Sequence, residues 1–141
     1  MARGARAALW LRDAVGARSD LAALDASGVH GPAVEADRAT IRAGIAALEG
    51  RPTDAVALYR DALRSWRDLG LAWDEALTGI DMALLLDPAD PWIRASAEAA
   101  REILVRLEAA PFIARLDAAL ARPTEPAGRA AAPSAASVNA S

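Results

Sequence analysis

The side chains that most often carry catalysis or bind metal ions are scarce in this sequence of 141 residues. It contains no cysteine and a single histidine, His30, which lies in the run Gly28-Val29-His30-Gly31-Pro32 without an acidic partner at ligand spacing. Disulfides, thiolate nucleophiles and zinc sites built from cysteine and histidine are therefore excluded. We expect His30 to be an exposed loop residue, and we predict no cofactor and no enzymatic activity.

Carboxylates are more frequent, and five of them fall on one predicted helix and the loop after it: Asp74, Glu75, Asp81, Asp87 and Asp90. Asp74 and Asp81 lie two turns apart on the same side of this helix, about 10 Å along its axis, and no third ligand accompanies them. This spacing does not favour a metal site. We predict a solvated acidic face, with an electrostatic edge for a basic partner segment as the alternative.

Tryptophan is conspicuous, because four copies stand in a chain of which only 4% is aromatic. Trp66 and Trp73 fall on the apolar faces of consecutive predicted helices, where they are expected to fill the joint between two helix pairs. Trp92 follows Pro91 at a predicted helix start, and a partly exposed tryptophan there is a candidate partner contact. Packing over the helix end is the alternative for Trp92.

The composition indicates a helical protein. Alanine supplies 39 of the 141 residues, whereas Val, Ile, Phe and Tyr are too few for several strands. The formal net charge of −3 gives no general attraction to nucleic acid or anionic lipid. No stretch approaches the roughly 20 apolar residues that span a bilayer, and no secretory signal is recognisable. These features predict a cytoplasmic, all-α protein that binds neither nucleic acid nor membranes.

Glycine and proline divide the chain into helix-length segments with apolar periodicity. The segments 32–49 and 52–69 are separated by Gly50-Arg51 alone, so they are expected to be antiparallel neighbours. Further helices are predicted at about 9–15, 19–28, 72–86, 91–108 and 111–120. Asp90 is the predicted N-cap of the fourth helix in this series, whereas the pattern is least regular over residues 1–30. The segment 122–141, with three prolines, is predicted to be a disordered tail.

A resemblance to the tetratricopeptide repeat is carried by residues 50–63, Gly-Arg-Pro-Thr-Asp-Ala-Val-Ala-Leu-Tyr-Arg-Asp-Ala-Leu. It implies that Ala55, Tyr59 and Ala62 pack the two helices of one repeat against the next, and Trp66 continues the same face. The repeat is longer than the usual 34 residues, and Arg67 stands where the family has a proline. In this respect the chain is more similar to the C-terminal repeats of large bacterial signalling ATPases, including LuxR-type regulators and nucleotide cyclases with a fused ATPase.

These features together predict a short, right-handed, tetratricopeptide-like α-solenoid over residues 1–121, built from about three antiparallel helix pairs. The predicted function is that of a non-catalytic protein-protein interaction or interdomain scaffold in bacterial signalling or transcriptional regulation. A concave surface formed by the first helix of each pair would hold a peptide or partner helix near Ile45, Trp73 and Trp92.

Two other hypotheses remain open. In the first, the chain is a C-terminal sensor or effector fragment of an ATP-dependent regulator or nucleotide cyclase, and it binds a small molecule between its helices. In the second, the chain is a helical bundle that serves only for oligomerisation. We also expect self-association through the N-terminal end, where the first apolar face of a stack lacks a capping repeat.

Overall fold

The computed structural model describes residues 2–122, which form seven helices and no strand. The helices are α1 (Ala2–Trp10), α2 (Ala14–Ala26), α3 (Pro32–Leu48), α4 (Pro52–Asp68), α5 (Ala72–Leu85), α6 (Pro91–Arg106) and α7 (Ala110–Ala121). The all-α prediction is confirmed. The boundaries predicted for α3 to α7 agree with these to within two residues.

Local sequence signals set where these helices begin and end. Asp90 caps α6, because its carboxylate accepts hydrogen bonds from the backbone N–H groups of Trp92 at 2.8 Å and Ile93 at 3.3 Å. Gly50 and Gly70 follow α3 and α4 with positive φ angles of 75° and 69°, a backbone conformation that stops a helix and favours glycine. Each stop is followed by a short connection, so consecutive helices pack side by side.

The beginning of the described chain folds differently from the prediction. In place of a helix at 9–15 and another capped by Ser19, α1 ends at Trp10 and α2 begins at Ala14. The Asp13 carboxylate accepts a hydrogen bond from the Gly16 N–H at 2.9 Å, so Asp13 caps α2 and Ser19 lies inside that helix.

Each helix packs against the next one in the sequence, and the odd-numbered helices also form a series of their own, α1 with α3, α3 with α5 and α5 with α7. Within residues 2–122 the backbones of the even-numbered helices do not approach each other. In addition, α1 reaches α5, so it packs against both α3 and α5. The groove predicted on the first helices of the pairs is therefore filled by α1 at this position.

Small residues let neighbouring helices approach closely. Gly79 of α5 lies so near α6 that a Cβ atom added to it would stand 2.5 Å from the Cβ of Ala100. A Cβ atom added to Gly44 of α3 would stand 2.6 Å from the Leu9 Cδ1 atom of α1. Glycine is otherwise unfavourable inside a helix, so the close approach of a neighbouring helix explains why both positions are occupied by glycine.

The end of the described chain corrects the predicted tail boundary. Arg122 belongs to the folded part, because its guanidinium donates hydrogen bonds to the carbonyl oxygens of Leu84 at 2.6 Å, Leu86 at 3.0 Å and Ala83 at 3.2 Å. These carbonyls lie at the C-terminal end of α5, which lacks helical partners and favours positive charge. The remainder of the predicted tail, 123–141, lies outside the described residues.

Gly79→Ala is expected to lower the free energy of unfolding, although alanine is the better helix former by about 1 kcal/mol. The added methyl group collides with Ala100, and overpacking of this kind costs about 1–3 kcal/mol. Chemical denaturation followed by far-ultraviolet circular dichroism measures the change. As a control, Ala57→Gly at an exposed position of α4 gives the propensity difference without a packing contact. A Gly79→Ala protein more stable than wild type would contradict the close approach of α5 and α6.

Candidate functional site

Ile45, one of the three predicted partner contacts, is 5% exposed and packs in a cluster with Leu9 and Ile41. A partner cannot reach it in this fold, which corrects its assignment. The physical reason is the position of α1, which lies over this face of α3. The apolar period of α3 marks the face that is buried, but it does not say which element buries it.

Trp92, the second predicted contact, is half-buried at the start of α6. The Arg60 guanidinium of α4 lies 5.0 Å from the centre of its ring, a distance typical of a cation-π contact. The ring also packs against the buried cluster that contains Tyr59 and Ile93. Trp92 thus connects α4 and α6 within the fold, and only part of its surface is open to a partner.

The four residues assigned to helix packing are buried. Ala55, Tyr59 and Ala62 have no exposed surface, and Trp66 is 2% exposed. The Trp66 indole N–H donates a hydrogen bond of 3.0 Å to the Thr78 hydroxyl, which itself donates to the Asp74 carbonyl oxygen at 2.8 Å. This chain of bonds fixes α4 against the first half of α5.

Trp73, the third predicted contact, is 39% exposed at the start of α5. Its ring meets that of Phe112 on α7 edge to face, with the centres 5.0 Å apart. Exposed leucines lie in the connections at the same end of the molecule, Leu69 and Leu71 between α4 and α5 and Leu107 between α6 and α7. We call Leu69, Leu71, Trp73, Leu107 and Phe112 the aromatic end surface.

Carboxylates accompany the aromatic end surface. Asp68 precedes Leu69, Asp74 follows Trp73 and Glu108 follows Leu107. None of these three carboxylates forms an ion pair with another described residue. Asp37 of α3 lies close enough to Asp74 for the two charges to interact. Burial raises the pKa of Asp37, and the charge of Asp74 raises it further. The nearby Arg67 is already bonded to Glu75 at 2.7 Å. The surroundings are therefore acidic on balance, which favours a basic partner.

A second polar arrangement lies inside the molecule, between α1 and α5. Asp81 has no exposed surface, and both of its oxygens accept hydrogen bonds of 3.0 Å from the Arg6 Nε group. Arg6 Nη2 adds a bond of 2.9 Å, and the Trp10 indole N–H donates another at 2.6 Å. The prediction that Asp81 belongs to a solvated acidic face is therefore wrong. A buried carboxylate needs such partners because its desolvation is costly.

Burial shifts the titration of the groups around this pair. Burial raises the pKa of Asp81, against the opposing effects of the Arg6 charge and the hydrogen bonds from Arg6 and Trp10. Burial also raises the pKa of Tyr59 well above its ordinary value of 10.0, and the nearby Asp81 charge raises it further. The Tyr59 hydroxyl has no hydrogen-bond partner among the described residues. A cavity beside Asp81 has a volume of about 10 Å³, room for about one water molecule.

Comparisons with protein-family models, with curated proteins and with solved structures find no match to this chain. The likeness to the tetratricopeptide family therefore rests on the residues quoted above.

Residues 2–122 contain no group of three or more His, Asp or Glu side chains placed to hold a metal ion. None of the helices in this part of the chain has both the length and the apolarity that a membrane crossing requires.

Three residues of these two arrangements were not predicted from the sequence, namely Arg6, Trp10 and Phe112, and Asp81 was predicted to be exposed. The composition of α5 offered one signal for the burial of Asp81. This helix is apolar on most of its circumference, which indicates a buried helix. A carboxylate in such a helix requires a cationic partner. Arg6 and Trp10 stand four residues apart, the spacing that places two side chains on one face of a helix.

Arg6→Met is expected to lower the free energy of unfolding by about 3–5 kcal/mol, because it leaves the buried Asp81 carboxylate without its cation. The double variant Arg6→Met/Asp81→Leu removes both charges and is expected to lose less. Equilibrium denaturation at neutral pH compares the two. The control Arg101→Met breaks an exposed pair with Asp117 and should change the stability by less than about 1 kcal/mol. A double variant less stable than Arg6→Met would refute the paired burial of these charges.

Tyr59 should ionise above its ordinary pKa of 10.0 in the folded chain. The unfolded state then loses its proton first, so the stability falls as the pH rises above about 10. Tyr59→Phe is expected to make this fall less steep, which denaturation at a series of alkaline pH values measures. Because Tyr59 is the only tyrosine in the sequence, phenolate absorbance reports its titration directly. An absorbance midpoint at the ordinary pKa, with the chain still folded, would contradict the burial of the hydroxyl.

Proposed function

We propose that this chain is a non-catalytic protein-interaction module that binds an apolar, basic-flanked segment of a partner protein at the aromatic end surface. The observation that carries the proposal is Trp73, a tryptophan that is 39% exposed and held edge to face against Phe112. Tryptophan is among the residues that contribute most to binding energy at protein interfaces. Contiguous exposed apolar residues on a soluble domain are typical of such an interface.

The local structure supports binding because it holds the Trp73 backbone in place before a partner arrives. On one side of Trp73, Arg67 of α4 bonds to Glu75 of α5 at 2.7 Å. One turn further, Trp66 bonds to Thr78. An anchor residue on a fixed backbone loses little conformational freedom on binding, so more of its contact energy appears as affinity.

The carboxylates near the surface support the choice of a basic-flanked partner. Asp68, Asp74 and Glu108 each stand next to an exposed apolar residue and form no ion pair with a described side chain. Complementary charge accelerates association and selects among apolar partners. The alternative predicted for Asp74, an electrostatic edge for a basic partner, is kept in this proposal.

We further propose that the scaffold is a short tetratricopeptide-like stack whose setting is bacterial signalling or transcriptional regulation in the cytoplasm. The order of helix contacts supports the stack, because consecutive odd-numbered helices pack on one another as the first helices of successive repeats do. The setting rests on the resemblance to the repeats of signalling ATPases. The cavity at Asp81, with room for about one water molecule, does not favour a small-molecule sensor at that place.

Photo-crosslinking from position 71 in lysate of the cells that encode the chain identifies the partner, and titration of the purified partner then measures its affinity. Trp73→Ala is expected to weaken binding about tenfold or more, because truncation of a central tryptophan removes a main contact. Trp73→Phe should restore part of the affinity. Ala57→Ser, at an exposed residue near the start of α4 and outside the aromatic end surface, is the control and should leave the affinity unchanged. Equal affinity of wild type and Trp73→Ala would refute the proposal.

A further inference from the structure

Besides packing against its neighbour α2, the helix α1 makes hydrogen bonds and close contacts with two helices that are distant from it in the sequence. Arg6 and Trp10 bond to Asp81 of α5, and Leu9 packs against Gly44 of α3. With nine residues, α1 is shorter than helices that are stable on their own. It therefore needs the groove between α3 and α5. These contacts do not require, however, that α1 and the groove belong to the same copy of the chain.

The connection between α1 and α2 is short and strained. It consists of Leu11, Arg12 and Asp13, and Arg12 adopts a positive φ of 60°. A side chain with a Cβ atom is disfavoured in this left-handed region, which Gly50 and Gly70 occupy at lower cost in the connections after α3 and α4. If Arg12 and Asp13, which has a ψ angle of 85°, both took helical angles, the strain would be relieved and α1 and α2 would join into one continuous helix. The Gly16 N–H, now capped by Asp13, would then bond to a helical carbonyl.

Two exposed apolar side chains flank this connection. Leu11 is 80% exposed and Val15 is 77% exposed, more than any other large apolar residue in the described chain. They are four residues apart, so in a continuous helix they would lie on one face. Two such helices packed against each other would bury both side chains. Neither side chain belongs to a hydrophobic cluster of residues 2–122.

We propose that two copies of this chain exchange α1, so that Arg6 of each copy pairs with Asp81 of the other. The helix α1 of one copy fills the groove between α3 and α5 of its partner, and the straightened connections pack together through Leu11 and Val15. The contacts that α1 makes with α3 and α5 within one copy are formed again between copies, while the strain at Arg12 is relieved. This surface is separate from the aromatic end surface, and the inference does not depend on the proposed function.

An engineered disulfide distinguishes exchange from simple association. The full chain has no native cysteine, and Leu9 touches the position at which Gly44 would carry a Cβ atom. The variant Leu9→Cys/Gly44→Cys is therefore expected to give a disulfide-linked pair of chains on oxidation, seen as twice the chain mass in a denaturing gel without reductant. Wild type is expected to sediment as a dimer. A linkage confined to single chains, or a wild-type chain that stays monomeric at millimolar concentration, overturns the proposal.

The strain at Arg12 supplies a matched pair of variants. Arg12→Gly removes the penalty of the left-handed conformation and so favours the closed monomer, which should raise the dimer dissociation constant about tenfold or more. Glu108→Gly removes the same kind of strain, at φ 53°, from the connection between α6 and α7, which takes no part in the exchange. It should leave the constant unchanged. An equal effect of the two variants would exclude Arg12 as the hinge.

Charge reversal provides a test that does not depend on the disulfide. Arg6→Asp places two carboxylates together within one copy, and Asp81→Arg places two guanidinium groups together, so each variant alone should be less stable than wild type. When the two variants are refolded together, exchange joins Asp at position 6 to Arg at position 81, and Arg6 to Asp81, in one mixed dimer. We expect the mixture to recover helicity and dimeric mass that neither variant shows alone. Failure of the mixture to exceed the separate variants overturns the proposal.

Discussion

The burial of Asp81 is the constraint on which the arrangement of this molecule depends. A carboxylate without exposed surface must have a cation and hydrogen-bond donors beside it, and here Arg6 and Trp10 provide them from α1. Since both donors come from one short helix, the position of α1 follows from the position of Asp81. That helix then covers α3 and α5, and in doing so it takes Ile45 out of contact with any partner.

The helix α5 joins the remaining elements, and it does so by different means along its length. Near its start, Glu75 pairs with Arg67 of α4, and a turn further on Thr78 bonds to Trp66 of the same helix. In the middle, Gly79 lets α6 approach closely, and Asp81 holds α1. At its end, Arg122 supplies hydrogen bonds to the carbonyl groups that the helix leaves free. A helix that packs against neighbours on most of its circumference is expected to carry apolar residues around most of it, and α5 has this composition.

Most of the secondary structure could be predicted from the sequence because its signals are local. The Asp90 cap and the glycine stop at Gly50 depend on a few neighbouring residues, and both were recognised. The pairing of Arg6 with Asp81 joins residues 75 positions apart, and no local pattern says which helix meets which. Periodicity therefore identifies a buried face, while the identity of the covering element comes from long-range packing. For the same reason Trp73 was recognised as a candidate, but its neighbour Phe112 was not.

The two surfaces proposed for recognition are related through α5. Trp73 stands eight residues before Asp81, about 12 Å along the helix axis, so a partner at the aromatic end surface and an exchanged α1 can be bound at the same time. An exchanged dimer carries two copies of the aromatic end surface on one assembly. A partner that is itself dimeric or repetitive would then bind at both surfaces, with an avidity set by their separation and not by any new contact. Exchange of α1 would in this way strengthen recognition at Trp73 without altering a single residue of that surface.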